Sequence, residues 1–494
     1  MKQIGVFSRG LRLLVLSVIV LLGGILLAEA AQAVELTWQQ ALDIAVNKSS
    51  RGTIISGDLE VAQQEYNARR VTFLLPKVSI NSSLPSYSVD ESFRFFGGAT
   101  EKSLFKTTDF DFRSNIQLDQ SLITGGDLKV TANLLRADSK YPNTALSGVE
   151  IDELTNRGYF DFNFTQPLLQ PSTAKHELNN RKDDLEIARL ARIEELTKLK
   201  KEVTEAYLGV LETSLNKEIA ASKVEAAGLT ADIDSLKFID GVLSEEEWLL
   251  SASALLDAEL EQFDASNQTN QQHRLLASLL DMDVEETIEA DIPVITDRLE
   301  PAQNQALANR WAESIPLQKS TFQYRKQERA ADFAAANYGI QGSLAASYSF
   351  GRGTVKYENL GDDDIKTNSW GISINVTYPL WDGGASSASV KAARLSAEKA
   401  RLEHERTEKA AKAEIVDLLN GLDVSTRKLA VLEKQIELAK NKLDIARFRL
   451  DDGQISRTEY LGSYIFFLEA RMKYLSELKN YLVDKLELEG KFIG

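Results

Sequence analysis

The chain has 494 residues, with 73 Asp and Glu against 57 Lys and Arg, a formal net charge of -16. That balance disfavours nucleic acid as a partner and suits cationic traffic. Cysteine is absent and histidine occurs three times. Disulfides, thiol catalysis, thiolate metal sites and a lipid-modified N-terminal cysteine are therefore excluded. No cofactor or metal is expected, and His176, His273 and His404 read as solvated helix surface.

Residues 1–33 open with Lys2, Arg9 and Arg12, continue through an apolar run from Leu13 to Leu27, and end in small residues at Ala28–Ala30 and Ala31–Ala33. This is the pattern of a secretory signal peptide cut after Ala33 or Ala30; a retained anchor is the alternative. Cutting after Ala33 leaves 461 residues with 54 basic and 72 acidic side chains, net -18. No later stretch has the length and apolarity of a transmembrane helix, but strands of a barrel escape such a scan.

Thr37 can cap a short amphipathic helix carrying Ala41, Leu42 and Ala45. A second helix is expected from about Gly57 to Thr72. Strand-like alternation follows at Val78, Ile80 and Leu84, then at Phe110, Phe112, Ile116 and Leu118, then more weakly at Leu128, Val130 and Leu134. The segment from Ser139 to Asn156 reads as loop, and Phe160, Phe162 and Phe164 resume the alternation up to Pro167. A helix of about 95 Å is predicted from Ser172 to about Phe238. After a break at Asp240–Ser244, a return helix runs from Glu245 to about Leu280. Pro293 and Pro301 bracket a linker, and a helix interrupted near Pro316 leads to about Asn337. Leu344, Ala346, Tyr348 and Phe350 form the next strand. Trp370, Ile372, Ile374, Val376, Tyr378 and Leu380 form the last one, ending at Gly383 and Gly384. The remaining sequence is a second helical hairpin. Its first arm carries a seam at Leu432, Ile436, Ala439, Leu443, Ala446 and Leu450.

Pro167 and Pro379 stand 212 residues apart, and so do Gly241 and Gly453. Equal spacing of independent landmarks marks an internal duplication. The expected organisation is a signal at 1–33, a first repeat at 34–291 with its tip near 241, and a second repeat at 292–494 with its tip near 453.

The helices have narrow apolar seams and charged flanks such as RLEHERTEKA, too little apolar surface to cover these strands. Lipid is the cover that remains, and a bilayer requires a closed barrel. One chain supplies four to six strands, so the barrel must be shared among copies. Pairing Val78 with Phe160 and Leu344 with Trp370 gives twelve strands in three chains, the favoured count. If the Phe110 and Leu128 segments near 109–135 also enter the wall, three chains give eighteen.

These landmarks resemble the TolC-like outer-membrane factors, the exit ducts of drug-efflux and type I secretion systems. The opening LTWQQALDIAVNKS resembles that family's first short helix. QPLL at Gln166–Leu169 and YPLWDGG at Tyr378–Gly384 are similar to its strand-to-helix junctions. GVLSEEE at Gly241–Glu247 and GQISRTE at Gly453–Glu459 are similar to its periplasmic tips. The resemblance implies a mixed α and β fold: a homotrimer whose shared transmembrane β-barrel in the outer membrane is continued by a long periplasmic α-helical barrel. It implies passive conduction without catalysis, and work with a periplasmic membrane-fusion adaptor and an inner-membrane transporter, in multidrug efflux or type I protein secretion.

By the same resemblance Glu459 lines a cation-selective entrance and Glu247 helps latch neighbouring helices. The chain departs from the family at Gly462, where a second acidic ring would fall, and at Leu450 and Ile455, where latch tyrosine and arginine would stand. Arg457 paired with Glu247 or Glu459 is one substitute for the latch; a narrower pore or a leucine-based constriction is the other. Adaptor contacts are expected near Leu236–Glu247 and Phe448–Tyr460, and the surface-exposed end is expected to include Ser88–Thr108 and Gly351–Thr367, with Asp362–Asp364 a solvated loop. An enzyme reading finds no nucleotide loop and no acid–base pair at strand ends. A periplasmic coiled-coil adaptor or scaffold without a pore is the rival; it would have one hairpin flanked by β domains and would purify without detergent.

Overall fold

A computed structural model of the chain describes residues 34–95, 103–142, 150–283, 288–293, 306–354 and 365–492. The signal-peptide reading and Asp362–Asp364 lie outside them. The chain divides into two compact units. One comprises Leu59–Arg189 and Lys319–Arg406; the other comprises the N-terminal part to Asp58, Leu190–Gln318 and Thr407 onwards.

The first of these holds a six-stranded sheet. Its strands are β2 (Lys77–Arg94), β3 (Ser103–Ser121), β4 (Asp127–Pro142), β5 (Glu150–Pro167), β7 (Gln341–Thr354) and β8 (Ile365–Thr377), hydrogen-bonded in that order. Every neighbouring pair is antiparallel. Three expectations are corrected here. The Val78 strand pairs with the Phe110 strand, since Val78 is registered with Leu118, and does not pair with the Phe160 strand. The Leu128 strand then bridges to β5 through Val130 and Phe162. Six strands per chain overturn the favoured four. The supposed loop from Ser139 to Asn156 is mostly strand, because β4 runs to Pro142 and β5 begins at Glu150.

Helices flank this sheet in a row within the same unit. They belong to α2 (Ser50–Leu74), α3 (Thr173–Ile239), α5 (Ile315–Asn337) and α6 (Ala385–Asp451). Arg181 Nη1 meets Glu65 Oε2 at 2.6 Å, and Arg69 pairs with Glu177, joining α2 to α3. Lys326 pairs with Asp184 and Arg329 with Asp183, joining α3 to α5. Ser320 Oγ lies 3.1 Å from His404 Nδ1, joining α5 to α6.

The other unit is helical. It contains α1 (Trp38–Asn47), α4 (Glu245–Leu280), α7 (Arg457–Gly490) and the remaining parts of α3 and α6. Thr37 caps α1 in a reciprocal capping box with Gln40, which satisfies two otherwise orphaned N–H groups. Leu199, Val203, Tyr207, Ile415, Leu422, Leu429, Leu468, Leu475 and Tyr481 lie in one buried cluster. Each fully buried leucine there contributes about 1.5–3 kcal/mol relative to exposure. The stripes are narrow: on α6, Ala411, Ile415, Leu419 and Leu422 are buried while most residues between them face outward. Two short strands, β1 (Val34–Leu36) and β6 (Ile288–Ala290), pair in parallel over this core. The buried Tyr207 hydroxyl ties down this edge by donating to the Leu36 carbonyl at 2.7 Å and accepting the Asp291 N–H at 2.8 Å.

Half-buried contacts replace the expected solvated surface at all three histidines. His176 stacks on Phe333 at 4.4 Å, and His404 lies near Tyr324 and Ser320. His273 is held below the usual imidazole pKa, first by burial and then by the Lys217 charge.

Candidate functional site

The sheet separates its residues by face with little mixing. One cross-strand row reads Val78, Leu118, Val130, Phe162, Tyr348 and Trp370, apolar on all six strands. The neighbouring row on that face contains Ile80, Ile116, Ala132, Phe160 and Phe350. Among the described residues nothing covers this face: Phe162 is 41% and Trp370 76% exposed. So extended an apolar surface marks a contact with lipid or another apolar partner.

The alternate row reads Ser79, Gln117, Thr131, Asp161, Ser349 and Ser369. Side chains of this row and the next on the same face bond across strands. Asn133 Nδ2 donates to Asp161 Oδ2 at 2.9 Å, Ser349 Oγ to Asp161 Oδ1 at 2.7 Å, and Asn81 Nδ2 to Asn115 Oδ1 at 3.1 Å. A register shift between Ser83 and Ser86 inserts one extra residue in β2. Without that bulge the parity of β2 would send Tyr87 and Val89 to the polar face.

Strand-to-helix junctions fall where the sequence puts them. Pro167 ends β5, paired with Ser343. Pro379 follows β8, and Gly383 and Gly384 take φ of 70° and 87°, conformations that glycine alone adopts without penalty. Asp382 caps the helix beyond them, accepting the Gly384 N–H at 2.9 Å and the Ser386 N–H at 2.8 Å.

The two tips repeat each other in detail. α3 and α6 each contain 67 residues, starting at Thr173 and Ala385. Gly241 and Gly453 both have φ of 71°. Val242 N bonds Lys237 O, and Gln454 N bonds Arg449 O, both at 2.8 Å. Ser244 and Ser456 then cap α4 and α7 by accepting the N–H of Glu247 and Glu459. The tips differ in one respect. The Glu247 carboxylate returns to Ser244, a bond that holds its pKa below the usual range. At Ser456 the reciprocal bond from Glu459 is missing. One carboxylate is engaged in its own cap, and the other is left to face solvent.

Arg457 joins neither Glu247 nor Glu459. Its Nε donates to Glu225 Oε1 on α3 at 2.9 Å, a bond that raises its pKa, and its guanidinium lies 5.1 Å from the Tyr460 ring centre. The Tyr464 hydroxyl donates to Glu218, which pushes its pKa up to about 12. Sequence reading missed Glu218 and Glu225. Among the described residues no cluster of His, Cys, Asp and Glu could hold a metal ion, and no helix is long and apolar enough to cross a membrane.

Residues 311–490 match the family described as outer membrane efflux protein. Outer membrane protein OprJ of Pseudomonas aeruginosa is 25% identical over 156 residues, 32% of this chain and 31% of OprJ, so the match spans about a third of that relative. The outer membrane channel CmeC of Campylobacter jejuni has the same fold at 14% identity, with a TM-score of 0.61 over 92% of this chain and 86% of its own. The outer membrane protein VceC of Vibrio cholerae has it at 13% identity, with a TM-score of 0.59 over 91% and 94%.

Proposed function

We propose, from a chain that carries the outer membrane efflux family's sequence in its last third and the fold of outer-membrane channels along nine-tenths of its length, that this protein is an outer-membrane exit duct. The observation that carries the reading is the uncovered apolar face running across six antiparallel strands. A bilayer accepts such a sheet only when closed, because unpaired edge N–H and C=O groups cost several kcal/mol each in hydrocarbon. β2 and β8 are the two edges, and they run in opposite directions. β2 of one copy therefore meets β8 of the next as an antiparallel pair, and three copies close the ring.

The polar face lines the lumen, and the long helices, about 100 Å for 67 residues, carry the conduit into the periplasm. There a membrane-fusion adaptor docks near Leu236–Glu247 and Phe448–Tyr460 and links the duct to an inner-membrane transporter. Energy comes from that transporter. Multidrug efflux is the favoured role, supported by the family matched; type I protein export uses the same kind of duct. Three copies of Glu459 around the entrance favour cations. The organisation into repeats at 34–291 and 292–494 is supported by the equal lengths of α3 and α6.

Fractionation with crosslinking tests this. The mature chain is expected in outer membranes, released only by detergent, as a species of three copies crosslinked to an adaptor. A monomer soluble without detergent overturns the duct and favours the scaffold.

A further inference from the structure

Resting on the trimeric duct reading, we infer that in the helical unit neighbouring copies are joined by a seam of their own. α4 of one copy lies antiparallel on α6 of the next, with acidic flanks against basic ones.

Four helices of that unit form a row, and α4 and α6 are its ends. Lys223 Nζ on α3 meets Glu261 Oε1 on α4 at 2.6 Å. α3 in turn meets α7, where Arg457 bonds Glu225 at 2.9 Å and Lys479 Nζ bonds Glu212 Oε2 at 2.6 Å. α7 meets α6, where the Lys442 ammonium lies 4.4 Å from the Phe466 ring centre. Each end helix buries one side in the row. On α4 that side carries Ala258, Ala265, Thr269 and Leu276, and on α6 Leu422, Leu429, Ala439 and Ala446. The other side of each is apolar as well. Leu249, Leu256, Leu260 and Phe263 on α4 follow coiled-coil steps of 7, 4 and 3, yet they are 53–70% exposed. Val424, Val431, Leu438 and Ile445 recur every seven residues on α6 and are likewise exposed. One apolar side suffices to pack a helix in its own chain; a second one, bare and heptad-spaced, fits another helix.

The duplication shows which helix that is. Leu249, Leu256 and Phe263 stand 212 residues before Leu461, Leu468 and Leu475 of α7. Those three leucines are at most 2% exposed. At about 100° per residue they share a side of α7 with Arg457, Tyr464 and Lys479, all of which reach α3. In the second repeat this stripe is therefore closed by the long helix of the first repeat. Its counterpart on α4 requires the long helix of a second repeat, which is α6. The chain's own α6 stands at the far end of the row, so the α6 that closes the stripe belongs to another copy.

Charge selects the same pairing. Residues 245–264 of α4 hold seven carboxylates and no cation. Residues 430–449 of α6, equally far from the other tip glycine, hold five cations and three carboxylates. Net charges of -7 and +2 attract, whereas α4 against α4 would set -7 on -7. A contact between two unlike faces is heterologous, the kind that closes a ring of copies. α6 also follows directly on β8, the sheet edge that meets the next copy.

Crosslinking tests this, helped by the absence of native cysteine. Leu256→Cys is combined in one chain with Leu438→Cys or with Ile445→Cys, which covers two neighbouring heptad registers. Outer membranes are then treated with a short bismaleimide. At least one combination is expected to turn most of the chain into covalent dimers and trimers, with nothing larger than three copies. Leu256→Cys alone and Leu438→Cys alone are expected to stay as single chains. Should either single variant give dimers, like faces meet and the inference is wrong. If neither combination links copies while native mass still shows a trimer extracted from outer membranes, the seam fails and the duct reading stands. A soluble monomer removes both.

Discussion

Arg457 on α7 donates to Glu225 on α3 at 2.9 Å, and seven residues along each helix Tyr464 donates to Glu218. Equal steps in opposite directions make two rungs of one antiparallel contact, placed just behind the tip. Both members of the first rung are about half exposed. Solvent and salt therefore limit it to about 0.2–1 kcal/mol. Breaking it should barely change the melting temperature. What it fixes is the angle at which α7 leaves the tip. In planar bilayers Arg457→Ala is expected to raise single-channel conductance, and Arg457→Ala with Tyr464→Phe to raise it further. Unchanged conductance in the double variant would mean that these rungs do not hold the entrance.

The two acidic residues at the tips should separate cleanly. Glu247 is engaged in its own helix cap, whereas the reciprocal bond is missing at Glu459. Glu459→Gln is expected to lower cation over anion selectivity with no loss of stability. Glu247→Gln should leave selectivity nearly intact and speed hydrogen exchange in the first turn of α4. That second effect should also appear in the parent as pH falls. A carboxylate whose folded pKa is depressed stabilises above its unfolded value, and the stabilisation is lost through the depressed one.

Gly241 and Gly453 lie at φ of 71° with nothing within 4 Å of an added Cβ. Substitution there meets only the backbone cost of the left-handed region, about 1–2 kcal/mol. Gly453→Ala should lower stability by about that amount, while Gly453→Asn, which tolerates this region, should lose less. Paired thermal melts check the ordering; equal losses would point to a packing role instead.

The lengths of the long hairpin helices, the tip glycines and the apolar face of each strand were legible because they depend on local periodicity and turn chemistry. The pairing of the Leu344 strand with the Trp370 strand was legible too, but the neighbour of the Val78 strand was not. Every strand here alternates in the same way, so Val78 offers no local sign that it belongs beside Leu118 and not Phe160. Pairing follows from the short turn at 122–126, which makes β3 and β4 a hairpin. The partner of Arg457 was hidden for a similar reason, since Glu225 is 232 residues away. The common spacing of seven between Glu218 and Glu225 and between Arg457 and Tyr464 was the available clue. The histidines were misread because polar text around them says nothing about which helix face is covered.

His273 gives the helical unit a predictable acid sensitivity. Burial and the Lys217 charge hold its folded pKa below the ordinary value of 6.5, and its Nδ1 is buried without a hydrogen-bond partner. Below pH 6.5 the unfolded chain takes up a proton that the folded chain resists. Stability is therefore full above that pH and falls as pH drops toward the depressed value. His273→Gln should flatten this part of the stability profile, measured by denaturant titration between pH 7 and 5. An unchanged slope would assign the acid sensitivity to carboxylates.

The membrane reading makes its strongest demand on Phe162, which sits in the apolar row between Val130 and Tyr348. At the midplane of a bilayer an outward arginine costs about 2–4 kcal/mol, and near either interface about 0–1. Three copies would incur the cost together. Phe162→Arg should therefore greatly reduce the assembled form recovered from outer membranes, whereas Asp161→Arg, one residue away on the polar face, should assemble and alter ion selectivity. The contrast matters more than either result. A soluble sheet over a protein core would be damaged by Phe162→Arg as well, but it would not give Asp161→Arg a conductance phenotype. If both variants assemble equally, the face that carries Phe162 is not in lipid.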